Sequence, residues 1–406
     1  AGTAAGTTGI SLPWMLGSAQ AGANVAEDYY KVPMKGNARI LHITDVHGQL
    51  QPVYFREPNV NLGVGDAYGR PPHLVGKKLL AHMGLKEGSI EEYAYTYLNF
   101  DEWAKEYGRM GGFAHVKTLL DQLRESAGGR DKTLTVDGGD LWQGSGTSLW
   151  TRGVDMVEAS NILGIDVMVG HWEFTYKEDE VLSNVALFKG DFIGQNVRVK
   201  EESLFGDEYP ALVEKYDGRG LFDEDTGHAF QPYVIKQVGD AKIAVVGQAF
   251  PRTANANPPE FFPDWSFGLR EDDMRDLVKK IRTEEEVDGC ILVSHNGMDV
   301  DIKMAERVPG LDAVFGGHTH DGMPRPVEVT NSEGGKCLVT NAGSNGKYVG
   351  VMDFGVEEGK IKSMDYKMLP VFENLVPADK EMEAYITQMR SKKYDENIVE
   401  SRAKDR

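Results

Sequence analysis

Two histidines one residue apart, His318 and His320, close the stretch Gly316-Gly317-His318-Thr319-His320. The apolar run before them, residues 311–315, reads as a buried parallel strand. The pair therefore stands at a strand's C-terminal edge, where open α/β sheets place their sites. Four further strand ends carry residues of the same kind: Asp45-Val46-His47, Gly139-Asp140, Gly170-His171 and Ser294-His295. Any one of them alone reads as a strand-end cap or a satisfied core histidine; five in one chain read as one site. A carboxylate has two oxygens and can bridge two cations, and imidazoles complete each shell. Asp45, His47, Asp140, His171, His295, His318 and His320 are therefore the candidate ligands of two divalent metal ions. A set dominated by imidazole suits Mn, Zn or Fe better than Ca or Mg, which prefer oxygen. Two such ions about 3.5–4 Å apart acidify a water and neutralise an anion under attack, which is hydrolytic chemistry.

The elements that must position these residues follow from the hydrophobic pattern. Residues 38–44, 132–137, 166–169, 290–293 and 311–315 read as strands, each ending just before a candidate ligand. Amphipathic periods over 113–124, 154–163, 272–285 and 299–308 predict helices between them. Gly239-Asp240 marks a hairpin between 233–238 and 242–246. Residues 336–342, 348–356 and 360–369 alternate as antiparallel strands, and 378–393 are helical. This order predicts a layered α/β (α+β) domain of two sheets packed face to face with helices outside. His42 falls inside the first strand with the period of a packed residue. Residues 49–108 show no period and carry Tyr93, Tyr95, Tyr97 and Tyr107. A segment of this length reads as an ordered lid whose tyrosines form a contact surface. His73 and His82 within it are assigned to the surface, and residues 200–228, with His228, to a solvated acidic excursion.

The net charge of the 406-residue chain is −19, which argues against a nucleic-acid or anionic-membrane partner. A metal site would be a positive island able to draw in an anionic substrate. No apolar run reaches the roughly 18 residues of a membrane span, and the chain is read as a monomer. Cys290 and Cys337 lie in apolar strands and read as core residues, without a disulfide framework. Residues 1–24 hold a short apolar patch and Ala19-Gln20-Ala21, an A-x-A cleavage pattern, and read as the remnant of an export signal.

The order D-x-H, G-D, a strand-end histidine motif, S-H, G-H-x-H resembles the calcineurin-like metallophosphoesterases over residues 38–371. Gly111-Gly112-Phe113-Ala114 and Gly343-Ser344-Asn345-Gly346-Lys347-Tyr348 are similar to its 5′-nucleotidase branch. The resemblance implies a four-layer α/β/β/α sandwich. It implies that Asp45, His47 and His320 hold one metal and His171, His295 and His318 the other, with Asp140 bridging. It also implies a dimetal catalytic domain over 25–375, with 49–108 as an insertion. Residues 376–406 would form a helical linker toward a C-terminal domain not present in this chain.

One motif departs from the family. The nucleotidases carry Gly-Asn-His-Glu-Phe-Asp; here the residues are Gly170-His171-Trp172-Glu173-Phe174-Thr175. Trp172 replaces the histidine that assists the leaving group, and Thr175 replaces its aspartate partner. Indole has no proton to exchange near neutral pH, so general acid catalysis from this position is lost. A persulfide, already a weak base, can leave without that proton; a sugar alkoxide cannot. His171-Trp172-Glu173-Phe174-Thr175-Tyr176 and Ser294-His295-Asn296-Gly297-Met298-Asp299 look like the SoxB-type sulfate thiohydrolases of bacterial sulfur oxidation. That likeness implies a periplasmic dimanganese hydrolase releasing sulfate from a cysteine S-thiosulfonate on the SoxYZ carrier, with Trp172 and Asn296 against the substrate. The competing expectations are a periplasmic 5′-nucleotidase or cyclic phosphodiesterase, and a non-catalytic carrier-binding protein.

Overall fold

The computed structural model describes residues 28–60, 63, 65–216 and 222–391. The export-signal stretch and the end of the expected linker, from 392 on, lie outside the described residues. The first sheet holds β1 (Ala38–Ile43), β2 (Thr133–Asp137), β3 (Val167–Met168) and β4 (Asp191–Phe192), all parallel. A short ribbon pairs β5 (Arg198–Val199) with β8 (Trp265–Ser266). The second sheet contains β6 (Tyr233–Val238), β7 (Ala241–Gln248), β9 (Gly289–Ser294), β10 (Ala313–Gly316), β11 (Val327–Thr330) and β12 (Lys336–Asn341). The strands β13 (Tyr348–Glu357) and β14 (Lys360–Pro370) return to the first sheet, giving the orders β14-β13-β1-β2-β3-β4 and β11-β12-β10-β9-β7-β6.

β1 shows why the sheets stack. It is buried along its whole length, and its side chains alternate between two cores. Ala38 and Ile40 meet Val136, Val245, Ile291 and Phe315 between the sheets, while Leu41 and Ile43 face the helix Phe113–Ser126. Met274, Val278 and Ile281 of the helix Glu271–Glu284 and Met304 of Met298–Arg307 cover the outer face of the second sheet. The predicted α/β/β/α sandwich is what the chain forms. His42 lies between the sheets, fully buried, with its ring edge on Phe315. Burial pushes its pKa down to about 3, so it is neutral and packed. Cys290 and Cys337 are buried and free.

Four expectations are corrected. First, residues 336–341 do not join the closing meander. They pair parallel with β10 in the second sheet, because their apolar faces fit beside that central strand. Second, residues 49–108 fold into the helices Gly76–Met83, Ile90–Tyr95 and Phe100–Tyr107. Tyr93, Tyr95 and Tyr107 are core residues: Tyr93 stacks on Phe372 and Tyr107, and Tyr95 donates its hydroxyl hydrogen to the carbonyl of Met368. They fasten the insertion to the sandwich and offer no contact surface. Third, His228 is buried rather than solvated, its Nδ1 2.6 Å from the hydroxyl of Thr226. Fourth, His73 has a side chain only 9 % exposed, whereas His82 is exposed as expected.

Candidate metal centre

The ligand-bearing turns lie at the C-terminal ends of β1, β2, β3, β9 and β10. The turns after β1 and β2 are zipped together by Asp45 N–H to Gly139 O (2.9 Å) and His47 N–H to Asp140 O (2.8 Å). Asp45, His47, Asp140, His318 and His320 all have positive φ, from 52° to 75°. A side chain in this region costs about 1–2 kcal/mol, and such strain concentrates at functional sites. Two glycines permit the approach. A Cβ on Gly317 would lie 2.4 Å from Thr44 Oγ1, and one on Gly139 would lie 2.7 Å from His295 Nδ1.

All seven expected residues converge. The donor atoms of Asp140, His171, His295 and His318 lie within 4.8 Å of one another, and so do those of Asp45, His47 and His320. Asp140 Oδ2 stands 3.0 Å from His295 Nε2, 3.2 Å from His171 Nδ1 and 3.6 Å from His47 Nε2, so it reaches both groups. His47 Nε2 and His320 Nε2 are 3.0 Å apart, and Asp45 Oδ1 is 3.3 Å from His320 Nε2. Donors about 2.0–2.2 Å from one ion stand roughly 3 Å from each other, so the residues are grouped to hold a dimetal site.

The tautomers are set by the protein. His295 Nδ1 faces the carbonyl of Gly138 at 2.6 Å and donates to it, which turns Nε2 toward Asp140. His318 N–H donates to both oxygens of Asp45 at 3.0 Å, and Thr44 Oγ1 donates to Oδ2. Burial, with His295 and His171 nearby, pushes His318 down to about 4, and burial also lowers His171 and His47. These rings are neutral and able to ligate. For His295 burial acts downward, but Asp140 and Asp45 overcome it and lift the pKa to about 10. Burial likewise opposes ionisation of Asp140, yet His295 and His171 hold it well below the carboxylate range. The centre thus attracts positive charge, and a metal would displace a proton from it.

Glu173 is the residue the sequence argument passed over. Fully buried, it accepts backbone N–H groups from His171 (2.8 Å), Leu141 (2.6 Å), Trp142 (3.0 Å) and Asp140 (3.3 Å). One carboxylate therefore fixes the turns that carry two ligands; its place beside His171 in the motif was the available signal. Phe250 stacks on His318 with centroids 4.0 Å apart and lies 4.3 Å from His171. Nothing in its own stretch marked it.

The two residues expected against substrate differ. Trp172 is half-buried beside His171, its backbone N–H given to Asp140 Oδ1 at 2.7 Å. Its indole walls a cavity of about 240 Å³ with Leu149, Lys177, Pro258 and Phe261. Thr175 gives its hydroxyl hydrogen to the carbonyl of Trp172 at 2.6 Å. Asn296 is turned inward: its amide donates to Asp301 and its oxygen accepts from Gln248, each at 3.1 Å. A second cavity, of about 370 Å³, opens between His318, His320 and Asp321 and the insertion residues Phe55, His73 and Leu79. The insertion therefore lines this cavity beside the centre, and of its tyrosine cluster only Tyr95 is among the lining residues.

The calcineurin-like phosphoesterase model matches residues 38–322. Protein UshA of Escherichia coli K12 is 27 % identical over 296 residues, 66 % of this chain and 49 % of UshA. Human 5′-nucleotidase is 25 % identical over 301 residues, 70 % of this chain and 48 % of its own. The chain spans about half the length of these curated relatives. Among solved structures, the sulfate thiohydrolase SoxB of Thermus thermophilus in complex with glycerol superposes with a TM-score of 0.77 at 34 % identity. That match covers 89 % of this chain and 61 % of SoxB. The 5′-nucleotidase precursor of Thermus thermophilus (TM-score 0.61, 19 % identity, 87 % and 58 % covered) shares the fold. With the sandwich, the grouped ligands and the matched span in agreement, the chain belongs to the calcineurin-like phosphoesterase family.

Proposed function

We propose that the chain is the catalytic part of an exported sulfate thiohydrolase, releasing sulfate from a cysteine S-thiosulfonate carried by a SoxYZ-type protein. The observation that carries this reading is the pairing of a complete donor set with Trp172 and Thr175 at the family's proton-donor positions. The likeness to SoxB supports it. In this reading Asp45, His47 and His320 would hold one divalent ion and His171, His295 and His318 the other, and Asp140, which reaches both groups, would serve the two. Manganese is the assigned metal, and zinc or iron are the alternatives the imidazole-rich set would take. When bound, the ions supply an activated water and neutralise the sulfonate charge. The chain's own residues do the rest. Asp45 and Glu173 fix the ligand turns, and Phe250 with the Trp172 indole keeps the rim of the centre apolar. Asn296 braces the His295 turn through Asp301. In this reading residues 25–375 form the catalytic unit with 49–108 as its entrance wall, and Met382 and Ile386 of the helix Lys380–Ser391 are buried against it.

The curated relatives favour a second reading, a 5′-nucleotidase or cyclic phosphodiesterase. Metal-loaded protein offered a nucleotide and a thiosulfonate-loaded carrier separates them. The proposal expects sulfate and little phosphate; brisk phosphate release without sulfate supports the nucleotidase. Trp172→His with Thr175→Asp should add phosphoesterase activity, by at most the 10²–10⁴-fold of general acid–base catalysis, roughly.

A further inference from the structure

The insertion reaches the metal centre through one buried ion pair. Lys347 closes the turn between β12 and β13, and its side chain is only 1 % exposed. An ammonium taken out of water is unfavourable unless it is paired. Its partner is the carboxylate of Glu57, which comes from the insertion. The ring of Phe55 lies 3.5 Å from the same ammonium, which adds a cation–π attraction. The Tyr348 hydroxyl stands 2.8 Å from the Glu57 oxygen and also meets the carbonyl of Ala94. The turn that carries Lys347 in turn touches a metal ligand. Lys347 N–H closes it on Ser344 O at 3.0 Å, and Asn345 N–H is given to the carbonyl of Asp45 at 2.8 Å. Asp45 has a φ of 52°, so its backbone must be held, and it is pinned from both sides, by Gly139 and by Asn345. The other group draws its support elsewhere: Glu173 fixes the turns of Asp140 and His171, and Gly138 orients His295.

We infer that Glu57 and Lys347 are positioning residues for the metal ion of the Asp45, His47 and His320 group. Their ion pair holds the insertion on the 344–347 turn, and that turn holds Asp45 in place. The inference rests on the two-metal part of the reading above and is independent of the substrate. It gives the insertion a second task besides walling the cavity, which Glu57 and Lys347 line together with His318 and His320. Loss of one partner alone leaves the other charge buried and unmatched, so the insertion and the turn must part to admit water. Asp45 then loses the support on its carbonyl side, while the supports of Asp140, His171 and His295 stay as they are.

The test is competition for Mn²⁺ between a chelator and the metal-loaded protein, read for the wild type, Glu57→Gln, Tyr348→Phe and the double variant Glu57→Gln/Lys347→Met. Glu57→Gln should weaken the more loosely held ion by roughly 10–100-fold, the usual cost of a lost ligand support, and leave the tighter ion unchanged. The double variant removes both charges and keeps an amide for the Tyr348 hydroxyl, so the looser ion should return to within a few-fold of wild type, as buried ion pairs tolerate joint neutral replacement. A pair that only stabilises the fold would lower the melting temperature and both affinities together; that result overturns the proposal, as does a looser ion unmoved by Glu57→Gln. Where Glu57→Gln does not fold, Tyr348→Phe decides, because it removes one hydroxyl only. It should weaken the looser ion by a few-fold and spare the tighter one, and unchanged affinities would overturn the proposal. Wild-type protein that holds a single ion ends the two-metal reading and this proposal with it, whereas two ions of unaltered affinity in the variants end this proposal alone.

Discussion

The two ligand groups differ in how the protein surrounds them. Around Asp140, His171 and His295, side-chain exposure is 2 % or less, and each residue has a backbone or side-chain support. In the Asp45, His47 and His320 group, His47 is 20 % exposed and His320 44 %, beside the cavity lined by the insertion. The first group is a buried anchor except at His318, which also lines that cavity, and the second faces the entrance through His320 while its Asp45 is fully buried. Ligands locked by a supporting shell bind more tightly, and loss of such support costs typically 10–100-fold in affinity or activity. One ion should therefore be structural in character and the other exchangeable, with Asp140 linking their occupancies.

The largest effect should come from removing that link. Asp140→Ala should empty both positions and lower activity by about 10³-fold or more, since metal polarisation supplies several kcal/mol and each 1.36 kcal/mol is one decade. Elemental analysis showing two metals per chain in this variant would break the comparison at its base. Next, His320→Ala should retain one metal per chain, while His171→Ala should weaken the anchor and lower the melting temperature as well. Equal stoichiometry in the two variants would erase the asymmetry. Third, chelator titration of the loaded protein should proceed in two phases, the first removing one ion without unfolding. A single phase would mean that the groups are equivalent.

The smallest effect concerns the anchor's support. Burial lifts Asp301 to about 7, against hydrogen bonds from Ser294 and Asn296 that pull it back. Its folded pKa lies above its unfolded value of 3.8, so the folded state holds the extra proton. The stability this gives is complete below about pH 4 and is lost as pH rises toward about 7. Asp301→Asn should flatten that slope in urea-melt midpoints measured across this range. An unaltered slope would remove Asp301 from the account of how the His295 turn is braced.

Much of this was legible in the chain because strand ends announce themselves. The alternation or apolar run stops, and a glycine and a ligating residue follow, as at Gly170-His171 and Gly317-His318. The layer order followed from the helices between the strands. What was not legible depended on contacts across long separations. The burial of Tyr93 is decided by Phe372, and that of His228 by the ribbon and sheet around it. The partner of His73 is 226 residues away. Residues 49–108 looked irregular because their helices are six to eight residues long, too short to show a period. The sheet choice of residues 336–341 was hidden for a different reason: alternation marks a strand but does not name its neighbour.

The central claim, two ions of unequal hold joined by Asp140, is tested most directly by anomalous diffraction from crystals given limiting and then excess Mn²⁺. The account predicts one peak at limiting metal, among Asp140, His171, His295 and His318. With excess metal a second should appear among Asp45, His47 and His320, about 3.5–4 Å away as in two-metal hydrolases. A single peak at saturation, or first occupancy in the group facing the cavity, would contradict it.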